Sequence, residues 1–350
     1  MKIVVLDGYT VCPGDLTWDS LRALGEVTIY ERTPREEVVP RIGDAQVVLT
    51  NKVVISREVL AACPNVRYIG VLATGYNVID LAAADERGVV VTNVPAYSTH
   101  AVVQHAMALL LQSASHVAQY DAQVKAGRWV SSPDFCFFGE PMEELAGRTM
   151  GIVGFGHIGQ AMARAAAGLG MQAIVSTPHP KPELAGEDVR FVAMDELLAG
   201  SDVISLHCPL TNQSYHLLDE TAFERMKRGV FLINTSRGAL IDSTALLKAL
   251  NDGTVRGAGL DVYEEETEYF YEDRSIEPIR DDVLSLLVSK PNVLITSHQA
   301  FLTEEALANI AETTLRNLDE YFSGRELTNE VRYHRETGKV VEDPRRLKQA

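Results

Sequence analysis

Apolar residues come in short runs along the first hundred positions, and a stretch with a helical period follows each run. The runs are rich in β-branched residues, which favours strands, and the segments between them are amphipathic. Strands that alternate with helices are typical of a parallel sheet covered by helices. We therefore predict a small α/β unit with strands at residues 3–6, 27–29, 47–49, 68–72 and 89–91.

A longer helical pattern then covers residues 98–125, which contain neither Gly nor Pro, and predicts one continuous helix. Beyond it the alternation of strand and helix resumes, so the predicted fold class is α/β with two Rossmann-like, doubly wound parallel sheets. Residues 303–321 are again helical in pattern, and the tail after Glu330 is polar and is assigned no function. The strands of the second sheet are predicted at residues 149–153, 173–175, 203–207, 230–234, 258–262 and 293–296.

The composition and net charge limit the kinds of molecule that the protein is expected to bind. A chain of 350 residues has room for two domains, and its formal net charge of -16 argues against binding nucleic acid or anionic membranes and for a small-molecule substrate. The four cysteines are scattered, without a C-x-x-C pair or a His at metal-ligand spacing, so neither disulfides nor a metal is predicted. The apolar opening at residues 3–6 is too short for a signal peptide, and no apolar stretch reaches membrane-spanning length, so we expect a cytoplasmic protein.

The second unit opens with a G-x-G-x-x-G pattern, placed after an apolar strand and before an Ala-rich helix. Gly154 permits a tight turn, Gly156 lets the backbone approach a pyrophosphate, and Gly159 allows close packing of helix on strand. This context favours a dinucleotide site over a glycine turn that binds nothing. The remaining positions of the predicted loop are Phe155, His157 and Ile158.

The strand after this loop decides which dinucleotide is accepted. An acidic residue usually ends it and binds the adenosine ribose, but here the strand runs into Thr177. Without a carboxylate a 2′-phosphate is not repelled, and His179 and Lys181 could attract one, although Lys181 could equally be a solvated loop residue. The sequence therefore admits either NAD or NADP.

Three charged residues follow successive strands of the second unit: Arg237, Glu266 and His298. Ligands of open α/β sheets bind at the carboxyl ends of the strands, so we expect these side chains in one crevice. Reduction of a 2-oxo acid needs a fork-shaped cation for the carboxylate, an acid for the developing alkoxide, and a carboxylate that keeps this acid charged. Alone, such an Arg or His is more often structural; together, after a dinucleotide loop, they predict catalysis.

The motifs together resemble the D-isomer-specific 2-hydroxyacid dehydrogenases, from Lys2 to about Val331. The glycine loop carries this resemblance with the segments around Arg237, Glu266 and His298. It implies that Arg237 binds the substrate, that Glu266 pairs with His298, and that His298 is the general acid and base. Formate dehydrogenases share the architecture, but a Gln takes the place of Glu266 there.

The resemblance also implies roles for further residues. Thr235, Ser236 and Asp261 would border the nicotinamide, together with Arg237 and His298. Thr74 and Gly75 would form the loop for the substrate carboxylate. The residues implied along the adenosine side are His207, Cys208 and Pro209.

The family's chain path implies that the nucleotide domain is inserted into the substrate domain. The expected domains are residues 1–98 with 300–330 for the substrate, residues 99–299 for the dinucleotide, and residues 331–350 as a polar tail. The helical segment at residues 98–125 resembles the family's dimer contact, so a homodimer is expected.

The sequence fits two substrates, because its two halves resemble different members of the family. The second half, including the insert at residues 268–273, resembles fermentative D-lactate dehydrogenases, whereas the first half resembles glycerate dehydrogenases, also called hydroxypyruvate reductases. Tyr97 and Phe301 could form walls for a methyl group, and Lys52 or Asn51 could bind a hydroxymethyl group. We favour pyruvate, with hydroxypyruvate as the alternative. A non-enzymatic alternative is a dinucleotide-gated corepressor, but no peptide-recruiting segment is evident.

Overall fold

The chain divides into two units, and the second interrupts the first. The first unit is Met1–Tyr97 with Leu302–Ala350, and the second is Ser98–Phe301. The computed structural model describes residues 1–12, 18–269, 276–334 and 339–342. Residues 270–273 of the predicted insert and parts of the predicted tail lie outside the described residues.

The first unit is built on a parallel sheet that has five strands in the described part of the chain, in the order β2-β1-β3-β4-β5. Strands β3 and β4 are buried along their whole length, as expected where helices cover both faces of a parallel sheet. These strands are β1 (Lys2–Val5), β2 (Glu26–Ile29), β3 (Val47–Thr50), β4 (Tyr68–Val71) and β5 (Val90–Thr92). The helices are α1 (Asp19–Arg22), α2 (Val38–Ile42), α3 (Arg57–Ala62), α4 (Leu81–Glu86) and α12 (Glu304–Phe322).

The second unit contains a larger parallel sheet, with seven described strands in the order β12-β11-β10-β9-β6-β7-β8. The chain order reverses direction between β6 and β9, and such a switch point is where doubly wound sheets bind their ligands. The strands are β6 (Thr149–Val153), β7 (Gln172–Ser176), β8 (Val189–Phe191), β9 (Val203–Leu206), β10 (Val230–Asn234), β11 (Val255–Leu260) and β12 (Val293–Ile295). The helices are α5 (Thr99–Ser115), α6 (Val117–Lys125), α7 (His157–Gly168), α8 (Met194–Gly200), α9 (Glu220–Glu224), α10 (Ser243–Asp252) and α11 (Asp282–Ser289).

The prediction of one continuous helix over residues 98–125 is wrong. His116 adopts the left-handed conformation, with φ 52° and ψ 33°, and separates α5 from α6. The side-chain oxygen of Gln112 accepts a hydrogen bond from the Ala118 amide at 3.0 Å, which supplies a partner to the start of the second helix. A break without Gly or Pro leaves no strong signal in the sequence.

The segment after Glu330 also differs from the expected polar tail. Val331–His334 (β13) pairs antiparallel with Lys339–Glu342 (β14), and Val331 is buried. Thr92 and Glu330 form an isolated bridge, which places the start of this hairpin beside the edge strand β5. Edge strands offer unpaired backbone groups, so the hairpin forms where such a partner exists.

Within the described residues, no helix has the length and apolar character needed to cross a membrane.

Candidate active site

The glycine loop lies at the switch point of the larger sheet, directly after β6. Gly154 has φ +92°, and a Cβ there would come within 2.7 Å of the His207 carbonyl group, at the end of β9. A Cβ on Gly159 would come within 2.2 Å of the Gly154 carbonyl oxygen. Protein packing alone therefore requires glycine at both positions, because only glycine avoids these clashes.

Gly156 is different, because no protein atom lies within 4 Å of a Cβ built there. It is the N-cap residue of α7 and is exposed, as is His157, the first residue of that helix. The side chains of Phe155 and Ile158 pack into the hydrophobic core, so these two residues can offer only backbone groups to a ligand. Open space beside a helix N-terminus is the arrangement that binds phosphate groups.

The loop after β10 carries Arg237 and is shaped by the fully buried Asn234. The Asn234 side chain accepts a hydrogen bond from the Ser236 amide at 3.0 Å and donates one to the Arg237 carbonyl at 2.9 Å. The Ser236 hydroxyl donates to the Cys208 carbonyl at 2.7 Å, which ties this loop to the loop after β9. Asn234 therefore fixes the backbone on both sides of Ser236.

Arg237 presents a guanidinium group that no carboxylate of the described residues engages in an ion pair. Its Nη1 donates to the Ser236 carbonyl at 2.7 Å, and its side chain is half-buried. A Cβ on the next residue, Gly238, would come within 2.0 Å of the Tyr263 carbonyl carbon. The Arg237 loop is thus in direct backbone contact with the turn that leads to Glu266.

Glu266 and His298 form a hydrogen-bonded pair. The Glu266 Oε1 atom lies 2.7 Å from His298 Nδ1, and Oε2 accepts from the Tyr263 amide at 3.2 Å. The two side chains are 19% and 21% exposed, so the pair is largely but not fully sheltered from solvent. Because Nδ1 is held by the carboxylate, Nε2 is the nitrogen left for proton exchange with a ligand.

Asp261, at the end of β11, is only 1% exposed and is held by protein donors. Its carboxylate accepts from the amides of Gln299 and Ala300 at 2.9 and 2.8 Å, and from the Thr296 hydroxyl at 2.5 Å. The predicted residue therefore lies beside the His298 loop.

The residues predicted along the adenosine side differ in their chemistry. Burial lowers the pKa of His207 to about 4, so its imidazole is neutral at neutral pH, and its Nε2 lies 2.9 Å from the Ser205 hydroxyl. Burial also raises the pKa of the Cys208 thiol to about 11, which keeps it protonated and unreactive. Pro209 is exposed, and Thr177 directly follows β7 and accepts the His179 amide at 3.3 Å.

Five of the residues predicted for the substrate belong to the first unit: Asn51, Lys52, Thr74, Gly75 and Tyr97. The Thr74 hydroxyl donates to the Val94 carbonyl at 2.9 Å, in the loop after β4 that also contains Gly75. Lys52 follows β3, where its amide donates to the Asp7 carboxylate at 2.6 Å, and Tyr97 ends the first segment of this unit. Phe301 is partly buried at the end of the second unit.

Residues 107–300, more than half of the chain, match the family profile described as D-isomer specific 2-hydroxyacid dehydrogenase, NAD binding domain. The chain belongs to this family. The enzyme is 45% identical to a hydroxypyruvate reductase of Blautia hydrogenotrophica over 93% of its own length and 98% of that protein. It is 43% identical to a D-lactate dehydrogenase of Escherichia coli, over 76% of its length and 79% of the relative.

Solved structures agree with this assignment. A structure described as the pyruvate reductase of Chlamydomonas reinhardtii superposes with a TM-score of 0.82, at 32% identity, over 94% of the enzyme and 98% of that chain. The enzyme is therefore an NAD- or NADP-dependent oxidoreductase with two Rossmann-like domains, and the predictions of family, fold class, enzyme class and cofactor are confirmed.

Two observations in the enzyme fit a bound dinucleotide. The space in front of Gly156 is open, as described above. The hydroxyl of Thr235 is buried and finds no hydrogen-bond partner among the described residues. A buried polar group without a partner is costly unless a ligand or water supplies one.

Some residues that shape the site were not predicted. Asn234 and Thr296 were not predicted as site residues, although they end β10 and follow β12, and His105 lies far away in the sequence on α5. For Asn234 a signal existed, because a polar residue at the end of an apolar run is often functional or buried with partners. For His105 none existed, because its partner is 191 positions away.

Proposed function

We propose that the enzyme reduces a small 2-oxo acid to the D-2-hydroxy acid, with His298 as the general acid. The observation that carries this proposal is the 2.7 Å contact between Glu266 and His298 Nδ1. A carboxylate in this position stabilises imidazolium, which is the form that can donate a proton. Because Nδ1 is engaged by Glu266, Nε2 is the proposed donor to the substrate oxygen.

Arg237 is proposed to bind the substrate carboxylate. Its planar guanidinium offers two parallel N–H donors, and its contact with the Ser236 carbonyl fixes only Nη1. The nicotinamide cofactor, when bound, supplies the hydride. Gly154, Gly156, His157 and Gly159 are proposed to bind its pyrophosphate, with the buried hydroxyl of Thr235 close to its nicotinamide end.

In the direction of reduction, His298 donates its Nε2 proton to the oxygen that becomes the hydroxyl group. The Nδ1–H remains hydrogen-bonded to Glu266, so the ring keeps its orientation while its charge changes. In the reverse direction neutral His298 accepts the hydroxyl proton. Thr74 and Gly75 of the first unit are proposed as further ligands of the substrate carboxylate.

For the substrate we propose hydroxypyruvate first. The sequence alone favoured pyruvate, but the 45% identity to a hydroxypyruvate reductase extends over 93% of the chain, whereas the identity to the D-lactate dehydrogenase extends over 76%. Asn51 is buried and donates to the Thr10 hydroxyl at 2.9 Å. Lys52, which is only partly buried and carries a positive charge, is the proposed partner of the hydroxymethyl group. Pyruvate is the second candidate, supported by the relatives named D-lactate dehydrogenase and pyruvate reductase.

Initial rates with hydroxypyruvate and pyruvate, each with NADH and NADPH, test this proposal. A polar group that binds the extra hydroxyl favours hydroxypyruvate in kcat/KM by roughly tenfold or more, and Lys52→Met removes this preference without abolishing turnover. Chiral analysis of the product checks for the D isomer. A higher kcat/KM for pyruvate assigns the enzyme to D-lactate formation, and turnover of neither acid refutes the proposed reaction.

We also propose that the enzyme is a homodimer. The segment after α6 exposes large apolar side chains: Val130, Phe135 and Phe138 are 91%, 90% and 88% exposed. An exposed apolar patch of this kind marks an interaction surface. Sedimentation of the wild type and of Phe135→Ser/Phe138→Ser tests this, since a monomeric wild type contradicts it.

A further inference from the structure

The catalytic histidine has an unfavourable backbone conformation. His298 has φ 53°, in the left-handed region that residues other than glycine rarely adopt. Such a conformation is strained and persists only where the surroundings impose it. The hydrogen bond to Glu266 orients the ring but leaves the backbone free to relax. Something else must therefore hold the loop.

Asp261 holds the loop on both sides of His298. Its carbonyl accepts from the His298 amide at 2.7 Å, and its carboxylate accepts from the amides of Gln299 and Ala300. The Thr296 hydroxyl donates to the same carboxylate at 2.5 Å. Four donors from residues 296–300 thus converge on one residue that is 1% exposed. Because each bond fixes a different position, the loop cannot relax at His298 alone.

Thr296 is in turn held by His105, which is on helix α5. The His105 Nε2 atom lies 2.9 Å from the Thr296 hydroxyl oxygen and 3.5 Å from Asp261 Oδ1. The threonine hydroxyl has a single proton, and the short contact assigns it to the carboxylate. Toward His105 the hydroxyl oxygen is then an acceptor, so His105 Nε2 carries a hydrogen and donates it.

We propose that His105 and Thr296 are positioning residues that hold the Asp261 carboxylate in place against the backbone of the His298 loop. His105 donates to Thr296, Thr296 donates to Asp261, and Asp261 imposes the left-handed backbone that directs the His298 ring toward Glu266. The pair also supplies N–H and O–H donors to a buried carboxylate, which would otherwise be poorly solvated. This inference rests on the proposed role of His298 as general acid.

The variant Thr296→Val tests it, because valine keeps the shape and removes the hydroxyl. A displaced acid slows proton transfer, so kcat falls by about 10- to 100-fold, while KM for the 2-oxo acid changes little because Arg237 is on another loop. Thr296→Ser keeps the hydroxyl and restores kcat. His105→Leu lowers kcat in the same way, whereas His105→Gln keeps an N–H donor and retains part of the wild-type kcat. The double variant His105→Leu/Thr296→Val has a kcat no lower than that of either single variant.

A second readout does not need a substrate. Amide hydrogen exchange at Gln299 and Ala300 accelerates by about tenfold or more in Thr296→Val and His105→Leu, because both amides lose a firmly held acceptor. Thr221→Val, which makes the same substitution as Thr296→Val at an exposed position of α9, is the matched control and leaves exchange and kcat unchanged.

The proposal is overturned if Thr296→Val has the same amide exchange rates and the same kcat as the wild type. It is also overturned if kcat falls in Thr296→Val and is equally low in Thr296→Ser. If the wild type reduces neither pyruvate nor hydroxypyruvate, the proposed function fails. The exchange rates still decide whether His105 and Thr296 hold Asp261 and the His298 loop in place.

Discussion

Replacing Glu266 with glutamine removes one charge from the candidate site and almost nothing else. The carboxylate accepts from two donors, His298 Nδ1 at 2.7 Å and the Tyr263 amide at 3.2 Å. An amide has only one acceptor oxygen, so in Glu266→Gln one of these donors faces an NH2 group. Imidazolium loses its counterion in either orientation. Reduction, which needs protonated His298, is therefore slower than in the wild type.

Two limits set the free energy that the Glu266–His298 pair loses in Glu266→Gln. Opposite unit charges 2.7 Å apart attract by about 6 kcal/mol at an effective dielectric constant of about 20, which is an upper bound. Both side chains are about one-fifth exposed, so water replaces part of the lost interaction. A hydrogen bond to a charged group is stronger than a neutral one by about 1–2 kcal/mol, and we take this smaller value as the free energy lost in Glu266→Gln. At about 1.36 kcal/mol per factor of ten, the rate of reduction falls by about tenfold.

The assay is the initial rate of 2-oxo acid reduction, and of 2-hydroxy acid oxidation, from about pH 5 to pH 10. Glu265→Gln, at an exposed neighbouring carboxylate, is the matched control and leaves both rates unchanged. His298→Gln loses catalysis at every pH. A Glu266→Gln profile identical to that of the wild type refutes the pairing.

Four further predictions concern the cofactor, the substrate and stability. Gly156→Leu blocks dinucleotide binding, because its side chain fills the open space in front of the loop; unchanged affinity in a fluorescence titration contradicts this. Arg237→Lys lowers kcat/KM by about 100-fold, since lysine lacks the two-donor grip; near-normal turnover removes Arg237 from the mechanism. Wild-type discrimination between NADH and NADPH is weak, and Thr177→Asp shifts preference toward NADH; strong wild-type selectivity for NADH would falsify this reading. His207 has a pKa of about 4 in the folded protein, so below about pH 6.5 the unfolded chain binds a proton that the folded protein does not bind. The wild type therefore loses about 2 kcal/mol of unfolding free energy between pH 7 and pH 5, and His207→Asn does not. Equal losses of the two proteins in urea titrations contradict this prediction.

Sequence alone determined the parts of this protein whose signal is local. The glycine spacing at residues 154–159 dictates a strand, a turn and a helix in immediate succession, and the clashes at Gly154 and Gly159 give the physical reason. Arg237, Glu266 and His298 each follow an apolar strand, and parallel strands deliver such residues to one edge of a sheet. Patterns within ten residues were therefore enough to predict the candidate chemistry.

Tertiary structure decided how that chemistry is held. The break at His116 depends on a side chain from the preceding turn, and the hairpin that starts at Val331 depends on the free edge of β5. The loop at His298 is held by donors and acceptors that come from β11, β12 and α5, and His105 is 191 positions away from Thr296. No local pattern encodes such a contact, because its partners meet only after the order of strands in the sheet and the packing of α5 on it have been established.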